Sequence, residues 1–280
     1  MSKAQTLWSA VKEVYVRFAA DDGLPLAGNI AYHIILAVFP FLIFLTALAG
    51  FFGDVDLARR VVNYLLESGP REIIEPIVPE IKSILSRPRR DFLSIGVLLT
   101  LWTASGGVDS IRVGLNRAYD LTEHRSWIVL FAQNVAFVIA GAVVLMVLAL
   151  LIVFAPVLLS LVDRYFPALA NISAVYDTLR YPVAILVLTF GVFAAHYILP
   201  ARWLPLRDLW PGIAFTVAVW IIVAAAYSVY LARFAYFAST YAGLAGLIAA
   251  LIFLYISAAV MIIGGEINRA IRVRRTDGTS

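Results

Sequence analysis

The residues of this chain that could carry chemistry are ionisable and amide side chains that interrupt long apolar stretches. Asn29 and His33 lie one helical turn apart on a predicted helix. Asp109, Arg112 and Asn116 share the face of a second predicted helix. Such groups are costly inside a membrane, so they usually face the interior of a helix bundle or a water-filled cavity. The chemistry that they favour is recognition of a charged headgroup by polar side chains and a guanidinium.

Residues of these types form a candidate site: Asn29, His33, Asp109, Arg112, Asn116, Arg117, Asn134, His196, Glu266 and Asn268. We expect all of them on the cytoplasmic side, in an inward-open polar cavity where Arg112 or Arg117 contacts an anion. The alternative is a structural network of ion pairs and hydrogen bonds, for instance Glu266 with Arg112, that fixes the helix ends. His33 by itself is more often a satisfied interior histidine than a proton relay.

Several kinds of catalytic site are excluded or disfavoured by the residue types present. The chain has no cysteine, which excludes disulfides, thiolate metal sites and cysteine nucleophiles. The histidines are widely spaced and form no HExxH pair, and no carboxylate cluster suits catalytic metals. The string Ala104–Gly107 faintly resembles the GxSG of rhomboid proteases, but Ser105 would need a base within about 3 Å. We predict no enzyme activity, cofactor or metal, and keep an intramembrane hydrolase as a distant alternative.

The composition is that of an integral membrane protein. Hydrophobic residues make up 62% of the 280 residues, charged residues 14%, and the mean hydropathy is +0.90. A soluble domain is typically about half apolar and about a quarter charged. The net charge of +4 comes from basic residues at the ends of apolar runs. Membrane topology explains that placement better than a phosphate-binding face, so we expect no nucleic-acid partner.

The run from Leu244 to Gly265 illustrates the membrane-spanning pattern. It is uncharged, and as a helix of 22 residues it would be about 33 Å long, enough to cross the hydrocarbon core of a bilayer. Arg269, Arg272 and Arg274 follow it closely. Basic residues directly after a span favour a cytoplasmic C-terminal end.

The same reasoning predicts an all-α fold with six transmembrane helices in one membrane domain, residues 1–280. The predicted spans are residues 29–53, 92–109, 127–162, 181–201, 211–232 and 244–266, followed by a basic tail, 267–280. Pro211 is expected at the first position of its helix. Within residues 1–28 we predict an amphipathic helix in the membrane interface or packed under the bundle. Residues 54–91 are expected to form short amphipathic helices, and the second span to continue as a helix to Tyr119.

Several strings, in this order, resemble the YihY/BrkB family of bacterial inner-membrane proteins. They are Asn29–His33 with Phe39-Pro40, Leu101–Ser105, Leu115–Tyr119, Leu209–Gly212, Phe237–Tyr241, Phe253–Tyr255 and Gly264–Asn268. Ala242, Phe253 and Gly265 depart from the usual residues of the family, as changes on the scale of side-chain packing. The resemblance implies six membrane helices with both termini in the cytoplasm, although the basic residues of the first loop count against that orientation.

The resemblance says little about activity. Members of the family carry names from serum resistance and from an old ribonuclease BN label, and some have been linked to movement of lipids or lipopolysaccharide precursors. We therefore expect a transporter or flippase-like component for a lipid or amphipathic anion. The alternative is a non-catalytic membrane scaffold or envelope-assembly partner. The expected partners are membrane lipids, with a second copy of the chain or envelope proteins as further candidates.

Overall fold

The fold is all-α in the part of the chain described by the computed structural model, residues 3–51, 90–149, 170–234 and 242–277. These residues form seven α-helices and no strand. The helices are α1 (Lys3–Ala20), α2 (Gly23–Phe51), α3 (Arg90–Tyr119), α4 (Trp127–Ala149), α5 (Ala170–Ile198), α6 (Leu206–Phe234) and α7 (Ala242–Asp277). The all-α part of the predicted fold class is confirmed for these residues.

Four of these helices are long and apolar enough to cross a membrane. The candidate spans are Trp127–Val144 in α4, Thr178–Ile198 in α5, Leu206–Leu231 in α6 and Gly246–Arg275 in α7. Gly23–Val38 in α2 is a shorter apolar segment. Only 6% of the window in α4 and 28% of that in α7 is buried inside the protein. The apolar surface of these helices therefore faces outward, as contact with lipid requires.

The break between α1 and α2 lies earlier than the predicted boundary at residue 29. The Asp21 N–H donates to the Arg17 carbonyl at 2.8 Å and closes α1. Asp22 follows in the left-handed region with φ 57°, which a short polar side chain tolerates. Gly23 then begins α2, and a Cβ at this position would collide with the Phe18 ring. The turn depends on local backbone geometry, which hydropathy does not report.

Other helix ends also differ from the predicted ones. The helix α3 runs unbroken from Arg90 to Tyr119, as predicted. The helix α5 begins at Ala170 rather than near 181. The helix α6 begins at Leu206, so Pro211 lies inside it rather than at its first position, and the helix gives up one backbone hydrogen bond there. The helix α7 continues to Asp277, so most of the predicted basic tail is helical.

Some predictions fall on residues that the structure leaves undescribed. They are the amphipathic helices of the first loop from residue 54 to 89, the end of the third predicted span at 150–162, and the string Phe237–Tyr241.

The chain divides into two compact units. Unit 1 comprises Met1–Gly23, Arg112–Val219 and Val260–Ser280, and unit 2 comprises Leu24–Ile111 and Trp220–Ala259. The buried apolar residues of unit 1 come mainly from α3, α5, α6 and α7; among them are Leu115, Val192, Leu209, Ile213 and Ile262. Those of unit 2 come mainly from α2 and α7; among them are Ala27, Ile30, Ala31, Ala249 and Ala258.

Within unit 1, α6 and α7 cross with their backbones almost touching. A Cβ at Gly212 would collide with the Gly264 carbonyl and with the Asn268 side chain. A Cβ at Gly264 would collide with the Thr216 hydroxyl. At Gly265 an added Cβ would lie 3.0 Å from Ala118 on α3. Small residues at a helix crossing permit this approach, and the crossing places the polar end of α7 beside the ends of α3 and α6.

Candidate functional site

The structure divides the predicted site residues between the two units. Asn29, His33 and Asp109 lie in unit 2, and Arg112, Asn116, Arg117, Asn134, His196, Glu266 and Asn268 lie in unit 1. Five of the unit 1 residues are no more than 5% exposed: Asn116, Asn134, His196, Glu266 and Asn268. Arg112 is 6% exposed, whereas Arg117 is exposed. Unit 1 therefore buries an unusual number of polar groups.

Glu123, in the loop between α3 and α4, is the common acceptor for several of these groups. Its Oε2 accepts from Arg112 Nη1 at 2.7 Å and from Asn116 Nδ2 at 3.2 Å. Arg125 donates to it in a bidentate pair, from Nε to Oε1 at 2.8 Å and from Nη2 to Oε2 at 2.7 Å. These hydrogen bonds, those from Arg125 foremost, hold the pKa of Glu123 far below its usual range. We call Arg112, Asn116, Glu123, Arg125 and Gln133 the polar network.

The polar network also caps the C-terminal end of α5. Arg125 Nη2 donates to the Leu199 carbonyl at 2.8 Å, and Gln133 Nε2 donates to the Ile198 carbonyl at 2.7 Å. Arg125 Nη1 also donates to Gln133 Oε1 at 2.7 Å. The last carbonyls of a helix have no partner within the helix, so these side chains satisfy acceptors that would otherwise be left unpaired. The polar network thus fixes the ends of α3, α4 and α5 to one another.

A second buried group links α3, α5 and α7. The Tyr119 hydroxyl lies 2.7 Å from His196 Nδ1 and accepts from Asn268 Nδ2 at 3.0 Å. Asn268 Oδ1 in turn accepts the Gly212 N–H at 2.6 Å. Because the Tyr119 oxygen already accepts from Asn268, its own proton is available to His196 Nδ1. Burial raises the pKa of Tyr119 well above its usual range, so its phenol stays protonated.

Glu266 on α7 is the most deeply buried carboxylate of the described residues. Its side chain is inaccessible to solvent, and its Oε2 lies 3.5 Å from Arg17 Nε on α1. Neither carboxylate oxygen accepts a hydrogen bond from any group that the structure describes. We expected, as an example of a structural pair, Glu266 with Arg112; the structure instead pairs Arg112 with Glu123 and Glu266 with Arg17.

Arg117 is the accessible guanidinium of the predicted pair of anion contacts. Its side chain is 44% exposed, and its Nη1 lies 2.6 Å from Asp22 Oδ2. Nη1 also donates to the Asp21 carbonyl at 3.3 Å. The ion pair holds Arg117 against the turn between α1 and α2, at the surface of unit 1. A surface pair of this kind exchanges partners at little cost.

In unit 2 the face of α2 that carries Asn29 and His33 packs on Gly106 and Ser110 of α3. Asn29 Nδ2 donates to Ser110 Oγ at 3.1 Å, and that hydroxyl donates to the Gly106 carbonyl at 2.9 Å. His33 packs against Gly106 so closely that a Cβ there would meet its ring, and its Nδ1 has no partner within the described chain. The absence of a side chain at Gly106 is therefore what admits the histidine.

Ser105 does not form a nucleophile–base pair among the described residues. The serine is buried, and its Oγ donates to the carbonyl of Trp102, one turn earlier on α3, at 2.7 Å. Across the described ranges, no three His, Cys, Asp or Glu residues are grouped so that they could hold a metal ion. His33 packs against Gly106 and Gly107, the two residues that follow Ser105 on α3.

Comparison with known proteins decides the family. The family described as Virulence factor BrkB matches residues 14–280. The chain belongs to the BrkB family. The ribonuclease-like protein YfkH of Bacillus subtilis (strain 168) is 31% identical over 268 residues, which cover 95% of this chain and 96% of that protein. No solved structure matches the chain.

Three of the strings that resembled this family are brought together by hydrogen bonds in unit 1. Tyr119 ends the string Leu115–Tyr119, Gly212 ends Leu209–Gly212, and Asn268 ends Gly264–Asn268. In this BrkB-family protein Asn268 donates to Tyr119 and accepts from Gly212, so a single amide side chain joins all three strings. Their shared position at one helix crossing is a physical reason for them to occur in the same chain.

Four residues that matter to this site were not selected from the sequence: Arg17, Asp21, Glu123 and Arg125. All four lie outside the apolar runs, where charged residues are ordinary. Glu123 had one signal, since it lies between Asp120 and Arg125 in a short polar loop directly after a helix. The arrangement can bind and orient charged groups.

Proposed function

We propose that this BrkB-family membrane protein crosses the bacterial inner membrane six times, with both termini in the cytoplasm. The helices α4 to α7 supply four spans by length and composition. The helices α2 and α3, of 29 and 30 residues, are each about 44 Å long and supply the other two. The basic residues at the end of α7 support the cytoplasmic placement of the C-terminus.

We further propose that the protein is a transporter or flippase-like component for a lipid or amphipathic anion. The observation that carries this proposal is the burial of Glu266 and His196 on apolar helices with unsatisfied polar atoms: both oxygens of Glu266, and Nε2 of His196, lack a partner among the described residues. Ionisable groups on membrane-spanning helices commonly mark a substrate or ion pathway. A purely structural group would be expected to have all its hydrogen bonds.

Of the two guanidiniums predicted to contact an anion, Arg117 is the better candidate. Arg112 is buried and its guanidinium pairs with Glu123. Arg117 is half-exposed, and its partner Asp22 is itself 61% exposed. An anionic headgroup arriving at the surface of unit 1 could therefore displace Asp22 from Arg117 without uncovering a buried charge.

Lipid retention tests this proposal. The protein is purified with its bound lipids, which are then identified by mass spectrometry for the wild type, Arg117→Gln and Arg274→Gln. Arg274 is the matched control, since it forms a similar half-exposed ion pair with Glu13 at 3.0 Å. We expect an anionic lipid that is enriched in the wild type and in Arg274→Gln and is lost from Arg117→Gln. Identical lipid profiles in all three proteins would contradict a headgroup site at Arg117.

A non-catalytic scaffold is the second candidate, and the polar network favours it. Glu123 accepts hydrogen bonds from two arginines and an asparagine, and these side chains join the ends of three helices. Under this alternative, Arg112→Gln would lower protein stability and the yield of a cross-linked assembly with a second copy or an envelope protein. The bound lipids would be unchanged, which separates it from transport.

We propose that the protein is not a nuclease, although its Bacillus subtilis relative has a ribonuclease-like name. The hydroxyl of Ser105 is bonded to its own helix, which supports a packing role for that residue. The test is RNA hydrolysis by the purified protein with added divalent metal. Activity that co-purifies with the chain through two separations, and responds to substitution of a described residue, would overturn this part of the proposal.

A further inference from the structure

Two carboxyl groups and one guanidinium meet where α1 ends beside α7 in unit 1. The Asp21 carboxyl lies within hydrogen-bonding reach of the Glu266 carboxyl. Arg17 approaches both of them, Asp21 at 3.7 Å and Glu266 at 3.5 Å. We call Asp21 and Glu266 the carboxyl pair. Glu266 is 1% exposed, so its negative charge is removed from water.

Three of the four oxygens of the carboxyl pair lack a hydrogen-bond donor among the described residues. Asp21 Oδ2 and both oxygens of Glu266 are buried atoms without a donor in the described part of the chain. Arg17 Nε is likewise without an acceptor in hydrogen-bonding geometry, so the guanidinium contributes charge but no aligned bond to this group. Two ionised carboxylates have only acceptor atoms, so they cannot hydrogen-bond to each other. Their like charges also repel.

The neighbouring charged groups do not remove the imbalance. Arg269 on α7 lies near Glu266 and forms an ion pair with Asp120 at 3.1 Å. Arg117 on α3 pairs with Asp22 at 2.6 Å. Tyr119 on α3 is close to Glu266 and is a neutral phenol. Arg272 on α7 donates to the Tyr119 carbonyl at 3.1 Å. Arg17, at 3.7 Å from Asp21 and 3.5 Å from Glu266, therefore brings one positive charge to two carboxylates.

We propose that Asp21 and Glu266 share one proton at neutral pH, so that the carboxyl pair is a proton-binding site of this protein. The proton comes from water, forms an O–H bond to one carboxyl and a hydrogen bond to the other, and no electron transfer is involved. A single proton satisfies an oxygen on each side and leaves the group with Arg17 neutral. A metal ion fits less well, because hard cations take six or more oxygen ligands and this group offers at most four.

The proton site goes beyond the proposed function and does not depend on it. If the protein is a transporter, the carboxyl pair is the place where proton binding would be coupled to substrate movement, and that step alone rests on the transport proposal. Two neighbouring carboxyls that share one proton are established in proteins, because like charges so close together cannot both ionise. The carboxyl pair lies between the turn after α1 and α7. Loss of the proton would leave two negative charges that push this turn and α7 apart.

Infrared difference spectroscopy tests the shared proton. The full-length protein is purified into lipid nanodiscs and titrated between about pH 5 and about pH 9, above the range in which exposed carboxyls titrate. We expect the carbonyl band of a protonated carboxylic acid to be present at neutral pH, to shift in deuterated water and to disappear as the pH rises. The band should be lost in Glu266→Gln and in Asp21→Asn.

The matched control is Glu13→Gln, which removes a half-exposed carboxylate that is ion-paired with Arg274 on the same two helices. This variant should keep the band. If Glu266→Gln does not fold, the wild-type titration and Asp21→Asn still decide the matter. Absence of the band from the wild type at neutral pH would overturn the proposal. A band that is unchanged in both Glu266→Gln and Asp21→Asn would also overturn it, and so would a band that added sodium or potassium abolishes. A band that behaves as expected, with unaltered lipids in Arg117→Gln, would keep the proton site and remove the transport proposal.

Discussion

Glu123 accepts hydrogen bonds from Arg112, Asn116 and Arg125, and Arg112 is buried in unit 1. Removing the charge of Glu123 would leave the Arg112 guanidinium buried without its carboxylate. The loss of one partner of a buried ion pair is strongly destabilising because the remaining charge stays desolvated. The Glu123 carboxylate therefore holds the ends of the surrounding helices together, through hydrogen bonds that form only in the folded chain.

We predict that Glu123→Gln lowers the free energy of unfolding by about 3 kcal/mol. The control is Asp120→Asn, whose carboxylate is 72% exposed and pairs with Arg269. Its cost should stay within about 1 kcal/mol, as is typical of surface ion pairs. Denaturant or thermal unfolding of the two variants in the same detergent measures the difference. Equal stabilities would show that Glu123 is not the centre of the polar network in solution.

Glu123 also predicts an acid sensitivity. Its pKa in the folded protein is held below that of an unfolded glutamate, which is about 4.3. The stabilisation is therefore complete above about pH 4.3 and is lost as the pH falls from there toward the folded pKa. We expect the wild type to lose stability over this acid range more steeply than Glu123→Gln. Unfolding midpoints measured against pH for both proteins test the sign, and parallel curves would contradict it.

Residue spacing predicted part of this site. Asn29 and His33 share a face of α2, as their four-residue separation required, and that face packs on α3 through Ser110 and Gly106. Spacing within a helix could not identify Glu123 as the partner of Arg112, since that contact depends on how the loop after α3 folds back. Residue spacing predicts which side chains share one face of a helix, whereas the residues that this face contacts are set by tertiary structure.

At the scale of helices, the crossing of α6 and α7 is the contact most sensitive to a single atom. Gly212→Ala would place a methyl group against the Gly264 carbonyl and the Asn268 side chain. We predict a loss of about 3 kcal/mol, since backbone on the other side cannot give way and the Asn268 hydrogen bond to Gly212 would lengthen. Unfolding measurements in detergent test this value.

Gly191→Ala is the matched control, because nothing lies within 4 Å of a Cβ added at that glycine on α5. This change should be neutral or stabilising by up to about 1 kcal/mol, as expected for alanine in a helix interior. If the two variants are equally stable, the close crossing of α6 and α7 does not exist in the protein.

Hydropathy located the helices better than it located their ends. The uncharged run from Leu244 predicted α7, but it placed the change to a tail at residue 267, and the helix continues to Asp277. The reason is that its charged last turns find partners: Arg274 pairs with Glu13 and Arg275 with Asp208. The length of a hydrophobic run predicts the segment that lies inside a bilayer. The end of the helix is set instead by where the backbone hydrogen bonds stop.

At the scale of the whole molecule, the charged and amide residues of unit 1 bear on the orientation of the protein in the membrane. The polar network, the carboxyl pair and the basic end of α7 all belong to unit 1. Each is formed by residues that our six-span proposal assigns to the cytoplasmic side. Basic residues near the ends of spans are retained in the cytoplasm, so these elements should share that side. The arginines of the first loop favour the opposite orientation, with that loop in the cytoplasm.

The orientation can be measured without background, because the chain has no cysteine. We predict that Ser280→Cys is protected from a membrane-impermeant maleimide in intact cells and reacts once the membrane is opened. Ser68→Cys, in the first loop, should react in intact cells and provides the matched positive control for the reagent. Reaction of residue 280 from outside, with protection of residue 68, would invert the protein and move the carboxyl pair to the opposite face. The proton of Asp21 and Glu266 would then be exchanged with the periplasm rather than the cytoplasm, so the same labelling also decides from which side that proton is taken up.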